Sequence, residues 1–170
     1  ARPVTSPSEY VQLTNFTDSA TAPSLSPDGH LVTFIRGGQF FFSRGQVYVK
    51  QLPDGEAVRL TTNASDKYAP VFTPDGSRIA YTEITPSGAS LSWDTRTIPV
   101  LGGPSTLLLP NAAGLVWLPD GHVLCSEIKG TGLRRAVVTA PEHRRGRAGT
   151  FFPDATLSAP PRPHPPPPGR

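Results

Sequence analysis

An all-β fold built from one repeated four-stranded unit is predicted for this chain by three observations. Leu13-Thr14-Asn15 leads to Ala22-Pro23-Ser24-Leu25-Ser26-Pro27-Asp28-Gly29 and an apolar run from Leu31 to Ile35. The same pattern returns 47 residues later, with Leu60-Thr61-Thr62, then Ala69-Pro70-Val71-Phe72-Thr73-Pro74-Asp75-Gly76 and a run from Ile79 to Glu83. A weaker third copy, Gly114-Leu115-Val116-Trp117-Leu118-Pro119-Asp120-Gly121 with Val123-Leu124-Cys125, follows after 45 residues. A fixed period of this size over short strands marks an array of propeller blades, and no stretch carries the 3.6-residue apolar period of a helix.

Each unit has a readable mechanism. An apolar run, a Pro-Asp-Gly turn and a second apolar run make a β-hairpin, because Pro presets φ, Asp tolerates the next turn position and Gly accepts positive φ. The other half of the first unit pairs Gln46 to Lys50 with Ala57 to Leu60 across Pro53-Asp54-Gly55. In the second unit, Trp93 to Ile98 pairs with Thr106 to Leu109 across Leu101-Gly102-Gly103-Pro104. This gives four strands per repeat. Residues 1–12 read as a linker that could double as a closing strand, 13–60 as blade 1, 61–109 as blade 2 and 110–140 as a partial blade 3. The array amounts to about two and a half blades, where propellers close with about four to eight, so the chain reads as a fragment or as one part of an assembly. The N-terminus, with no start Met and no apolar signal core, reads as a Pro/Ser linker.

Charge distribution excludes a nucleic-acid surface. The net charge is +3, yet up to Leu133 there are nine Lys/Arg against eleven Asp/Glu, and the excess lies in seven Arg beyond it, against Glu142 and Asp154. A phosphate-binding face needs basic residues clustered on folded structure. Residues 141–170 hold nine prolines, a composition that cannot build strands. They read as a disordered Pro/Arg-rich tail, or as a GC-rich gene translated out of frame where another blade would begin. Cys125, the single cysteine, sits in an apolar strand as a small buried hydrophobe, and no run of about 18 apolar residues spans a membrane.

The units Ala-Pro-x-x-x-Pro-Asp-Gly at 22 to 29 and 69 to 76, each preceded by Leu-Thr and followed by an apolar strand, resemble the WD40-like propeller repeats of TolB-type proteins. With Tyr10 to Thr14, Gln46 to Lys50, Val100 to Gly103 and the Phe/Ser-rich stretch Gln39 to Arg44, the string resembles the propeller regions of bacterial receptor-like serine/threonine kinases and winged-helix regulators. The resemblance covers about residues 9–140. It implies a protein- or ligand-binding, sensory module of a larger bacterial signalling protein, on the extracytoplasmic (periplasmic) side. The alternative is the propeller of a prolyl-oligopeptidase-type peptidase whose catalytic domain lies outside this chain.

No catalytic residues, cofactors or metal ligands are expected. There is no Gly-x-Ser-x-Gly elbow, no phosphate loop and no series of acidic positions for calcium. His30 and His122 follow Pro-Asp-Gly turns of separate blades and are expected to be solvated. Blade geometry places all four Pro-Asp-Gly turns on one face and the longer connections, Thr14 to Thr21, Arg36 to Gly45, Thr61 to Tyr68 and Thr85 to Ser92, on the other. Binding residues favour loops on a rigid scaffold. The candidates are therefore Arg36, Phe41, Arg44, Asp66 and Tyr68, facing a protein or small ligand, while Trp93 and Trp117 are expected in the inter-blade core.

Overall fold

A computed structural model describes residues 11–37, 45–88, 90–129 and 133–139. The predicted tail and the aromatic triple Phe40 to Phe42 lie outside the described residues. Every described element is a strand. β1 (Ala20–Leu25), β2 (Leu31–Arg36), β3 (Gln46–Gln51) and β4 (Ala57–Arg59) form one antiparallel meander. β5 (Asp66–Phe72), β6 (Arg78–Ser87), β7 (Ser90–Pro99) and β8 (Thr106–Leu109) form the second, and β9 (Ala112–Trp117), β10 (Val123–Lys129) and β11 (Leu133–Thr139) the third.

The repeat is visible in the turns. In the first, Asp28 Oδ1 accepts from the Ser26 hydroxyl and from His30 N, and Ser26 Oγ accepts from Leu31 N. In the second, Asp75 accepts from Thr73 Oγ1, Ser77 N and Ser77 Oγ, while Thr73 Oγ1 accepts from Arg78 N. The aspartate thus closes the hairpin through its own side chain, which is why turns favour it. Gly29, Gly76 and Gly121 take the positive φ that the turn requires. The Pro53 to Gly55 turn differs, since Gly55 has no positive φ. There the glycine is needed for space: a Cβ would stand 2.7 Å from the Gln51 Cβ. A methyl on Gly76 would lie 3.6 Å from Pro27 Cδ, so the first hairpin turns of neighbouring sheets sit side by side at one end of the molecule.

Each first strand also carries a bulge at one fixed place. Ala22, Ala69 and Gly114 stand five residues before the turn prolines, with φ of 51°, 46° and 64°, where the register with the next strand shifts. A residue in left-handed conformation opposite a regular strand is the geometry of a bulge, which bends and twists its strand.

Two apolar layers hold the sheets together. Ile35, Val47 and Val49 of the first sheet pack on Phe72, Ile79, Tyr81 and Ile98 of the second. Ala80 and Leu109, from the other side of the second sheet, pack on Ala112, Leu115, Val123 and Cys125 of the third, with Trp117 against the same layer. Burying such side chains contributes about 1.5 to 3 kcal/mol each for the larger ones. The Leu-Thr pair has a role too: Leu60 N donates to Val47 O and Thr61 Oγ1 accepts from Val47 N, fastening the connection to β3 before the chain crosses to the next sheet.

The connection expected over Thr85 to Ser92 is instead a continuous hairpin, with Thr85 opposite Ser92, Pro86 opposite Leu91 and Ser87 opposite Ser90. Pairing of β5 with β6 stops at Asp66 and Ile84. Beyond that point Pro86 has one strand neighbour rather than two, so its missing N–H is tolerated.

Candidate functional site

At the end opposite the Pro-Asp-Gly turns lie the connection 60–65, the residues joining β8 to β9, and the ends of β2 and β6, and the segment 11–19 runs over the first sheet toward that end, past Lys50 and Phe34 to Arg36. Of the five candidates, Phe41 and Arg44 lie outside the described residues. Asp66 and Tyr68, expected on a connection, begin β5 instead, because Asp66 pairs with Ile84 and Tyr68 with Thr82. Arg36 closes β2.

The guanidinium of Arg36 is already engaged. Its Nε donates to Asp18 Oδ1 at 2.8 Å, and its Cζ lies 3.9 Å above the Phe16 ring and 5.5 Å from that of Tyr48. Phe34 completes the stack, 5.7 Å from Phe16 and 6.0 Å from Tyr48. Such cation–π contacts contribute about 0.5 to 2 kcal/mol. Asp66 and Tyr68 share one side of β5. Asp66 Oδ1 is buried and has no hydrogen-bond partner among the described residues, whereas Tyr68 is 39% exposed.

Beside them is a buried polar cluster that sequence reasoning missed. Lys67 and Glu83, opposite each other across β5 and β6, are 4% and 7% exposed. Glu83 Oε1 accepts from Asn63 Nδ2 at 2.5 Å and Ser65 Oγ at 2.6 Å, and Arg96 Nε lies 3.2 Å from Oε2. Lys67 Nζ donates to the Ser65 and Asn63 carbonyls at 2.6 and 3.2 Å. Burial pushes the Glu83 carboxyl up, but the hydrogen bonds from Ser65 and Asn63 and the charges of Arg96 and Lys67 outweigh it and hold the group below its ordinary range. Burial pulls the Lys67 ammonium down, against the opposing pull of Glu83 and Asp66. Arg96 continues the network to Ser105 Oγ at 3.0 Å, which also meets the Tyr81 hydroxyl at 2.8 Å. The one signal for this cluster in the sequence was the repeat itself, which lays charged Glu83 over charged Arg36.

Nothing in this arrangement sets a nucleophile beside a base, and among the described residues no three His, Cys, Asp or Glu side chains group as metal ligands. His30 and His122 are exposed and lie 3.4 and 3.2 Å from the aspartates of their own turns. No helix among the described residues is long and apolar enough to cross a membrane.

No protein-family model matches this sequence, and no curated protein matches it. Solved structures do. A TolB protein of Agrobacterium tumefaciens matches over 74% of this chain with a TM-score of 0.55 and 17% identity. The β-propeller domain of the trilobed protease from Pyrococcus furiosus, described as having an open velcro topology, matches over 74% with 0.51 and 16%. The chain is part of a β-propeller. An acylaminoacyl peptidase of Pyrococcus horikoshii also matches, over 81% of the chain, with 0.51 and 16%. The propeller segment seen here spans 46%, 40% and 20% of those three chains, less than half of each. At these identities the likeness is one of fold.

Proposed function

We propose that this chain is a noncatalytic TolB-like β-propeller module that binds a protein or small ligand at the end opposite its Pro-Asp-Gly turns, as the sensory part of a larger bacterial signalling protein. The observation that carries this reading is the pair Asp66 and Tyr68 on one side of β5. A buried carboxylate oxygen without a partner costs free energy unless something donates to it, and an exposed tyrosine beside it offers a contact of the kind enriched at interfaces. Phe41 and Arg44 belong to the same proposed site by their place in the sequence, and Arg36 would frame it rather than reach out, since Asp18 and Phe16 hold it. The fit to receptor-like kinases or winged-helix regulators rests on the sequence resemblance alone.

The test is binding of the purified chain to the products of its own operon, compared with Tyr68→Ala and Asp66→Asn. Both should weaken binding at least tenfold while circular dichroism stays unchanged. Unaltered binding in both variants would move the site elsewhere. A second reading, the propeller of a prolyl-oligopeptidase-type enzyme, is supported by the likeness to the Pyrococcus horikoshii peptidase and the trilobed protease propeller. A hydrolase domain encoded in frame with the propeller would favour it over the signalling role.

A further inference from the structure

Each Pro-Asp-Gly turn contains an Asp-Gly pair: Asp28-Gly29, Asp54-Gly55, Asp75-Gly76 and Asp120-Gly121. Glycine has no Cβ, so nothing on it obstructs the approach of its own amide nitrogen to the carboxyl carbon of the aspartate before it, and that approach closes a succinimide ring. In all four turns the glycine amide is engaged alike. Gly29 donates to Ser26 O, Gly55 to Gln51 O and Gly76 to Thr73 O, each at 2.9 Å, and Gly121 donates to Leu118 O at 3.0 Å. The nucleophile therefore does not distinguish the turns, and the carboxyl does.

Asp28 accepts from the Ser26 hydroxyl and the His30 amide, with His30 Nδ1 3.4 Å from its other oxygen. Asp75 accepts from the Thr73 hydroxyl at 2.6 Å and from the Ser77 amide and hydroxyl at 3.1 and 2.8 Å. Asp120 accepts from the His122 amide at 3.0 Å, and His122 Nδ1 lies 3.2 Å from its other oxygen. These bonds must break before the carboxyl can turn toward its glycine. They also deplete the protonated acid, which is the electrophile: lowering Asp75 from 3.8 to about 2 cuts that form more than about tenfold, at a factor of ten per unit. Among the described residues nothing donates to the Asp54 carboxyl. Its turn is wider, since Gly55 bonds back four residues where the other three glycines bond back three, and Leu52 stands where Ser26 and Thr73 supply hydroxyls. Exposure alone does not set Asp54 apart, because the Asp28 and Asp120 side chains are 64% and 66% exposed.

We propose that Asp54-Gly55 is a site of spontaneous isoaspartate formation in the folded chain, and that the fold protects the other three Asp-Gly pairs. The Gly55 nitrogen attacks the Asp54 carboxyl carbon, its proton passes to solvent, and the acid's hydroxyl leaves as water. Water then adds to the succinimide. Addition at the side-chain carbonyl restores aspartate, whereas addition at the main-chain carbonyl breaks the bond from Asp54 C to Gly55 N and leaves the backbone running through the side chain, one atom longer. The turn has no room for that atom: even a Cβ on Gly55 would stand 2.7 Å from the Gln51 Cβ. β4 follows directly and is three residues long, paired with β3 alone, so isomerisation frees β4 from its sheet, a local opening of the kind that short outer elements undergo.

Incubation of the purified full chain in mildly acidic buffer at physiological temperature tests this, with isoaspartate located by fragmentation mass spectrometry of the digested protein and counted by isoaspartyl methyltransferase labelling. The folded chain should accumulate isoaspartate at residue 54 at least tenfold faster than at 28, 75 or 120. In concentrated denaturant the four sites should react at similar rates, because the protecting hydrogen bonds are gone. Asp54→Glu, whose longer side chain would have to close a larger ring, should lose the label while its circular dichroism stays unchanged. Amide exchange of Ala57 to Arg59 should be at least tenfold faster in the isomerised fraction, with β2 unaffected. A folded chain in which another Asp-Gly pair reacts as fast as Asp54, no label above that of Asp54→Glu, selectivity that persists in denaturant, or unchanged exchange in β4 would each overturn the proposal. The site lies among the turns, away from Asp66 and Tyr68, so the outcome is independent of the proposed binding role.

Discussion

Arg36 and Glu83 occupy the same place in successive repeats, the sixth residue of β2 and of β6, and carry opposite charges. Each is held by the segment that leads into its own blade: Arg36 by Asp18, and Glu83 by Asn63 and Ser65. The fold preserves the tether and leaves its sign free. The two tethers differ in burial, however, and so in energy. Asp18 and Arg36 remain partly solvated, where an ion pair contributes at most about 1 kcal/mol. Removing Glu83 would leave Lys67 and Arg96 facing a buried gap, which costs about 3 to 5 kcal/mol. Denaturant unfolding should therefore find Asp18→Ala nearly neutral and Glu83→Ala severely destabilised. Equal effects would mean that the Glu83 cluster is solvated.

The same cluster sets a pH dependence of one sign in two windows, an acid one from Glu83 and an alkaline one from Lys67. Glu83 in the folded chain titrates below its ordinary 4.5, so its contribution is fully present above that value and is lost as pH falls through the folded pKa. Lys67 titrates below its ordinary 10.5 when folded. The folded state therefore binds fewer protons there, and stability attributable to Lys67 rises as pH climbs between the folded value and 10.5. Lys67→Met should abolish the alkaline gain and Glu83→Gln should flatten the acid limb, each read as the difference in unfolding free energy from wild type across pH.

The architecture was legible because the turns are local chemistry. Pro, Asp and Gly at fixed offsets determine a hairpin whatever surrounds them, and the 47-residue period then places the hairpins in successive sheets. What escaped was set by pairing partners distant in sequence. Asp66 and Tyr68 read as connection residues because nothing near them says that Ile84 and Thr82 will lie alongside, and Thr85 to Ser92 read as a connection because nothing near it says that β6 and β7 stay paired as far as Ser87 and Ser90. Lys67 and Glu83 sit sixteen residues apart, and their partnership depends on a register that the bulge at Ala69 shifts. Trp117, by contrast, was legible as inter-blade core, since it lies two residues from buried Leu115 on the same apolar run, and it packs against the layer between the second and third sheets.

Asp75 offers a test of the turn chemistry itself. Hydrogen bonds from the Thr73 hydroxyl, then from the Ser77 hydroxyl and amide, pull its carboxyl from 3.8 down to about 2. Asp28 and Asp120 are lowered in the same sense, the first chiefly by the Ser26 hydroxyl and the second by the His122 amide. A depressed carboxylate stabilises the fold above its unfolded pKa and loses that contribution as pH falls through the folded one. Asp75→Asn keeps an acceptor without the charge, so it should be slightly destabilising at pH 7 and converge with wild type near pH 2. Carbon-detected NMR titration of the Asp75 carboxyl checks the pKa directly, and a midpoint near 3.8 would remove the argument.

The bulge provides a pair of substitutions at one repeat position with opposite expected signs. Ala69 and Gly114 both hold positive φ, 46° and 64°. In that region a Cβ crowds the backbone at about 1 to 2 kcal/mol, while glycine escapes that crowding and instead loses more chain entropy on folding. Ala69→Gly exchanges strain for entropy and should stabilise by up to about 1 kcal/mol. Gly114→Ala should destabilise by about 1 kcal/mol, and for conformational reasons alone, because a Cβ there meets nothing within 4 Å. Urea unfolding measures both. If Ala69→Gly destabilises as much as Gly114→Ala, the shared positive φ is not what the three repeats have in common, and the bulge must be held by its register instead.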